Sequence, residues 1–144
     1  MIKVFRMEID MTLIICLDNR NGISFNNRRQ SRDSVVIKRI VALSRCSKLH
    51  IAEYSKSLFQ FPCSCINVCD KPIQEASENE FCFIEDEICE NDIEKVSKII
   101  IFRWDKVYPQ DKSFKCDLKK WTLVHSETFI GSSHEVITEE VYTK

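Results

Sequence analysis

The sequence predicts an α/β domain, a sheet covered by helices on both faces. Three observations carry that prediction. The segment Lys98–Ile99–Ile100–Ile101–Phe102–Arg103–Trp104–Asp105 holds five apolar residues in eight, the run of a strand buried on both sides. Segment 33–43 instead repeats Val36, Ile37, Ile40 and Val41 at helical spacing, with Lys38 and Arg39 on the opposite face. Short apolar strands and short helical stretches alternate along the chain, as in a sheet packed between helices.

In order, Thr12–Leu17 reads as a strand ending in Asp18–Asn19–Arg20–Asn21–Gly22, where Asn21–Gly22 is a strong turn signal. Segment 25–32 is polar and basic and reads as a loop. The helix over 33–43 follows, with Ser31 or Asp33 as its cap. A short strand is expected at 48–52, a helical turn at 55–59 and irregular chain over 60–69, with Ile66–Val68 as a short strand. A short helix is expected within 71–79, a strand at Phe81–Ile84, a helix at 90–97 with Ile93 and Val96 inward, and the strand Lys98–Trp104. Segment 121–129 alternates loosely and is expected to pair antiparallel near an edge. In the tail 132–142, Ser132 and Glu135 form a capping-box pattern ahead of Val136, Ile137 and Val141, which suits a helix.

The composition is that of a soluble globule with a real core: 144 residues, 44% hydrophobic. With 21 basic and 22 acidic residues the chain presents no bulk field for nucleic acid or an anionic membrane. Its longest apolar runs, 13–17 and 99–102, are too short to cross a bilayer. Strand-like sequence begins at Thr12, which leaves 1–11 as a loose N-terminal extension or Met11 as the start. Eight cysteines are expected to be reduced, in a cytoplasm. No signal-peptide pattern precedes them, and Cys16 and Cys82 lie inside apolar strands as small buried hydrophobes.

The apolar strand at 98–104, the acidic turn after it, Tyr108–Pro109, Trp121 and the alternating segment beyond resemble the C-terminal part of a dihydrofolate reductase. The resemblance extends along 12–144 and implies one shortened domain of that fold, a central mixed sheet flanked by helices, with the tail 132–142 as a last antiparallel strand instead of a helix. Thr12–Asp18 resembles the family's first strand and Asn21–Gly22 the start of its mobile loop. Asp33–Ser34–Val35–Val36–Ile37–Lys38–Arg39 resembles the pterin-binding helix. The resemblance places Asp33 on the catalytic carboxylate that bonds the pterin and assists its protonation, and Ile37 where an aromatic packs on the substrate. Read without it, Asp33 is a helix N-cap.

Elsewhere the family pattern is broken. Ala52–Glu53–Tyr54–Ser55 stands for the phosphate-holding Gly-Arg-x-Thr, and Glu53 would repel phosphate. Glu85–Asp86 stands for the Gly-Gly pair that lets backbone approach the dinucleotide. Phe102 stands for a Thr that supports the carboxylate, the stretch between Phe59 and Phe81 is shortened, and no Arg matches the one that fixes the folate carboxylate. These departures argue against NADPH as a cofactor and against folate reduction.

The basic segment Asn26–Asn27–Arg28–Arg29–Gln30–Ser31–Arg32 is the leading candidate for a functional surface, since guanidinium groups bind anions bidentately. With Phe25 and Ile37, the residues Arg28, Arg29 and Arg32 would line a ligand cleft next to Asp33, together with Asn19 and Arg20. A plain solvated loop is the alternative. Cys63-x-Cys65-xxx-Cys69 with His50, His125 or His134 could ligate zinc, but the spacing is unusual and a loop of reduced thiols is simpler, so no metal is expected. Ser132, Ser133, His134 and Glu135 hold the residue types of an acyl-transfer triad without the separation a triad needs. A two-metal hydrolase of the ribonuclease Z type requires an HxHxDH cluster, which the three histidines do not form. The sequence therefore favours a module without reductase activity that binds a small molecule, a nucleotide or a protein through the cleft. The alternatives are a diverged reductase of a pterin-like substrate or a hydrolase.

Overall fold

The computed structural model describes residues 10–60 and 63–144. A seven-stranded mixed sheet runs in the order β5-β4-β6-β1-β7-β10-β9. Its strands are β1 (Thr12–Leu17), β4 (Leu49–Ile51), β5 (Ile66–Val68), β6 (Phe81–Ile84), β7 (Lys98–Trp104), β9 (Thr122–Phe129) and β10 (Ile137–Thr143). The first five in space are mutually parallel, and β10 and then β9 add antiparallel at one edge. Every residue of β1 is buried, as expected for a central strand covered on both faces.

The period-two alternation splits the core. Ile14, Cys16, Ile100, Phe102 and Trp104 face helix α1 (Ser34–Ser44), meeting Val36, Ile37 and Ile40. Leu13, Leu17, Ile99 and Ile101 face the other way, onto Ile23, Ile73, Val96 and Phe114. Shorter helices at Pro72–Glu75 (α2) and Glu90–Glu94 (α3), and 3-10 turns at Glu53–Leu58 and Leu118–Lys120, connect the strands. The expected stretches 71–79 and 90–97 therefore shorten to a helical turn or so each.

Two readings of the sequence are corrected, and one open alternative is decided. The basic segment is not a loop but part of a small antiparallel sheet of β2 (Gly22–Phe25), β3 (Arg28–Arg29) and β8 (Lys112–Ser113). Its hairpin turn is Asn26–Asn27, with φ of 50° and 58°. Two consecutive left-handed residues are what a tight two-residue hairpin requires, and Asn tolerates them. Of the two readings of the tail, the antiparallel strand is the one observed, as β10, with Ile137 and Glu139 buried on one face of the sheet beside Trp104 and Phe102 of β7. Cys63 and Cys65, read as reduced, are paired in a disulfide whose Cα atoms lie 5.4 Å apart, an ordinary span for a bridge.

Met11, assigned by the sequence to the loose extension, is 1% exposed and packs in the second core layer. Its carbonyl accepts from the Ser97 amide at 3.1 Å, and that of Asp10 accepts from the Asn79 amide at 2.6 Å. The rest of that extension, residues 1–9, lies outside the described residues. No helix among the described residues is long and apolar enough to cross a membrane.

Candidate functional site

Helix α1 begins at Asp33, the N-cap, whose Oδ1 accepts from the amides of Val35 and Val36 at 3.0 and 3.2 Å. Its second oxygen is equally committed. Oδ2 accepts from the Ser133 amide at 2.8 Å, the Ser133 hydroxyl at 3.2 Å, the His134 amide at 3.2 Å and His134 Nδ1 at 3.4 Å. A turn between β9 and β10 thus clamps a carboxylate that is 1% exposed. Burial alone would raise its pKa. The amides of Ser133, Ser132 and Val36 and the Ser133 hydroxyl reverse that and hold it well below the usual carboxylate range.

Gly131 makes the clamp possible. A Cβ there would stand 2.5 Å from Asp33 Oδ2 and 2.8 Å from the His134 carbonyl, besides striking Ile137. Ser132 does cap a helix, as the sequence suggests, but the helix is α1: its hydroxyl accepts the Ser34 amide at 2.8 Å. His134 then lies flat on Trp104, ring centroids 4.0 Å apart and planes 11° apart, with Tyr108 edge-on at 6.2 Å. Tyr108 is placed by the buried Asp18, which accepts its amide at 3.0 Å and also holds the Asn21–Gly22 turn through the amides of Arg20 and Gly22, both at 2.8 Å.

Ser133 and His134 converge on Asp33, an acid outside the 132–135 pattern that the sequence offered. The arrangement is still not an acyl-transfer triad. Ser133 Oγ and Asp33 share the same ring nitrogen, Nδ1, at 3.1 and 3.4 Å, whereas a triad needs nucleophile and acid on opposite nitrogens.

Beside this knot a cavity of about 400 Å³ is lined by Phe25, Arg28, Arg29, Gln30, Tyr108, Pro109, Ser133 and His134. Of the predicted cleft residues, Phe25, Arg28 and Arg29 reach it. Arg32 is exposed away from it and contributes its carbonyl to the Ser133 hydroxyl at 2.7 Å. Ile37 is a core residue, 4% exposed under the sheet, and cannot touch a ligand. Arg29 lines the cavity, but its guanidinium is engaged by Ser57, the Tyr54 carbonyl and ring, and Glu85. Arg28 forms no ion pair with any described residue. Both amide atoms of Gln30 are enclosed without a hydrogen-bond partner among the described residues. An unpaired buried amide is uncommon enough to ask what satisfies it. The sequence assigned no site role to Tyr108, to the Gln30 amide by itself or to the reach of His134, since nothing local marks residues joined across 80 to 100 positions.

A larger cavity, about 630 Å³, opens at the carboxyl ends of β4 and β6 and is lined by Tyr54, Ser55, Glu85, Asp86, Glu87 and Lys112 among others. Three of its carboxylates are already paired. Glu85, with its side chain 5% exposed, accepts from Ser31 and from Ser55 (2.6 Å) and pairs with Arg29 at 3.1 Å. Asp86 pairs with Lys112 at 3.1 Å and Glu87 with Lys115 at 3.6 Å.

The histidines are equally legible. His50 is satisfied on both nitrogens, by Glu80 at 2.8 Å and Asn67 at 3.0 Å. His125, Glu127 and Glu139 lie close enough together to hold a cation, but Arg39 already sits 3.2 and 3.6 Å from the two carboxylates and stacks on Phe129. The Cys63–Cys65 bridge removes two thiols from the third candidate set.

No family model matches the sequence, and no curated protein matches it. Among solved structures the chain is similar to dihydrofolate reductase from Enterococcus faecalis, complexed with NADP(H) and RAB-propyl. The TM-score is 0.67 at 9% sequence identity, over 93% of this chain and 95% of that one. At that identity the likeness speaks for the backbone alone, and with the strand order and the α1 docking it establishes that this chain has the dihydrofolate reductase fold.

Proposed function

We propose that the chain is a binding module without NADPH-dependent reductase activity, and that it takes a small planar anion of nucleotide size in the 400 Å³ cavity. One observation carries this reading. Two groups without a partner among the described residues, the Arg28 guanidinium and the Gln30 amide, gather at one concavity beside Phe25 and Tyr108. Flat apolar walls with a few converging polar groups are the usual composition of a ligand site, and an unpaired guanidinium selects an anion. Two features speak against a reductase. The Asp33 carboxylate has both oxygens filled by its own chain, so it has no lone pair to offer a pterin. Glu85 and Asp86 put negative charge where the family resemblance sets a glycine pair against a pyrophosphate.

Thermal-shift and calorimetric titration of the purified protein with NADPH, dihydrofolate, methotrexate and nucleoside monophosphates tests this. A nucleoside monophosphate is expected to raise Tm saturably. Arg28→Ala, an exposed position, is expected to weaken that binding by about tenfold, the loss of one charge-assisted contact worth about 1.4 kcal/mol, with the Tm of the free protein unchanged. Saturable binding of NADPH or dihydrofolate, or no response to any nucleotide, would sink the proposal.

A further inference from the structure

His134 sits at this same cavity with one nitrogen tied and one not, and hydrogen counting fixes which is which. The Ser133 hydroxyl has a single hydrogen. It is 2.7 Å from the Arg32 carbonyl and 3.2 Å from Asp33 Oδ2, and both are pure acceptors. The Arg32 carbonyl, at 2.7 Å the nearest of the three groups around it, takes that hydrogen, so none is left for His134 Nδ1, 3.1 Å away. Asp33 Oδ2, 3.4 Å away, is a carboxylate held ionised and can only accept. Both neighbours of Nδ1 are therefore acceptors, and Nδ1 carries the ring hydrogen.

In a neutral imidazole that leaves Nε2 with a bare lone pair. Burial keeps the ring below the ordinary histidine value, only partly offset by Asp33, so the neutral form is the resting one. Nε2 has no partner among the described residues and is not among the enclosed unpartnered atoms, while the side chain keeps 9% exposure. The ring cannot swing away. It is stacked on the fully buried Trp104, and its backbone amide is bonded to Asp33.

We propose that Asp33 and His134 form a tautomer-fixed dyad that presents Nε2 to the cavity as a proton acceptor for a bound ligand bearing an acidic O–H or N–H. The step it supports is a plain proton transfer. The ligand O–H or N–H bond breaks, the Nε2–H bond forms, and the imidazolium charge falls beside Asp33 while the anion left on the ligand faces Arg28. This is acid–base work at a pre-set position, and it rests on the reading of the cavity as a ligand site.

The tautomer is readable without any ligand. In long-range 1H–15N correlation spectra of the labelled full chain at neutral pH, His134 is expected to show a protonated Nδ1 and an unprotonated Nε2, and to keep that pattern in Ser133→Ala. His134→Phe, which preserves the stack on Trp104, assigns the signals. An Nε2–H tautomer, or fast exchange between the two, overturns the dyad. Titration with adenosine monophosphate then separates the two readings. Movement of the His134 Nε2 resonance together with the amides of Phe25 and Arg28 supports both. Movement of those amides alone leaves the cavity standing and overturns the proton-acceptor role. No movement in either overturns both.

Discussion

Asp33→Ala is expected to cost about 3 kcal/mol, more than the N-cap alone would explain. The cap bonds to Val35 and Val36 account for about 1 kcal/mol. The remainder comes from the amides of Ser133 and His134, which lose their buried acceptor. Buried donors stranded in this way cost about 1–3 kcal/mol. Asp33→Asn separates the two parts. Asparagine caps a helix as well as aspartate does, so its loss falls on the 131–134 turn and is expected at about half that of alanine. Urea unfolding of the three proteins checks this, and equal losses in Asn and Ala would remove the turn from the account.

The same residue sets an acid dependence. Its folded-state pKa is depressed, so its contribution is fully present above the unfolded carboxylate value, about pH 4, and is lost as pH falls from there through the lower folded value. His134 adds a term of the same sign. Its folded pKa is lowered, so below about pH 6.5 the unfolded chain takes up a proton that the folded ring declines. Stability should therefore decline in two stages on acidification, and Asp33→Asn should shrink the lower one, to which the depressed carboxyl of Glu80 also contributes.

That Asp33 could cap α1 was legible from its place ahead of an amphipathic run, because capping is a relation between neighbours. The strands β1, β6 and β7 were legible for the same reason, as short apolar runs between turn signals. What escaped the sequence is long-range. Gly131 looks like any loop glycine until Asp33 is found 2.5 Å from where its Cβ would be. The tail carried a capping-box pattern, and Ser132 does cap, but across 98 residues. The hairpin at Asn26–Asn27 was hidden because its strands are only two to four residues long, below what alternation can mark, and the signal was the asparagine pair itself. The basic segment was read as one patch of three arginines. The fold divides it, sending Arg29 to Glu85, leaving Arg28 at the cavity and turning Arg32 outward.

Glu85→Ala is expected to be the other large loss, about 3–5 kcal/mol, because it strands the Arg29 guanidinium without its buried anion. Ser31 and Ser55, 4% and 1% exposed, lose their acceptor at the same time. One guanidinium and two hydroxyls around a vacated carboxylate make an anion site, so the damage should be reversible by a small anion. At 100 mM acetate or inorganic phosphate, a site with a Kd of about 10 mM would return about 1.4 kcal/mol. The Tm of the variant should rise by several degrees more than that of the native chain under the same addition, with chloride at equal ionic strength as the control. NADPH should give no such rescue, since Asp86 and Glu87 still line the cavity wall and repel a pyrophosphate. Equal salt responses in variant and native chain would mean that Glu85 is merely a polar rim residue. Selective rescue would mean that this end of the sheet retains the donors of an anion site and that a glutamate of the chain itself occupies it.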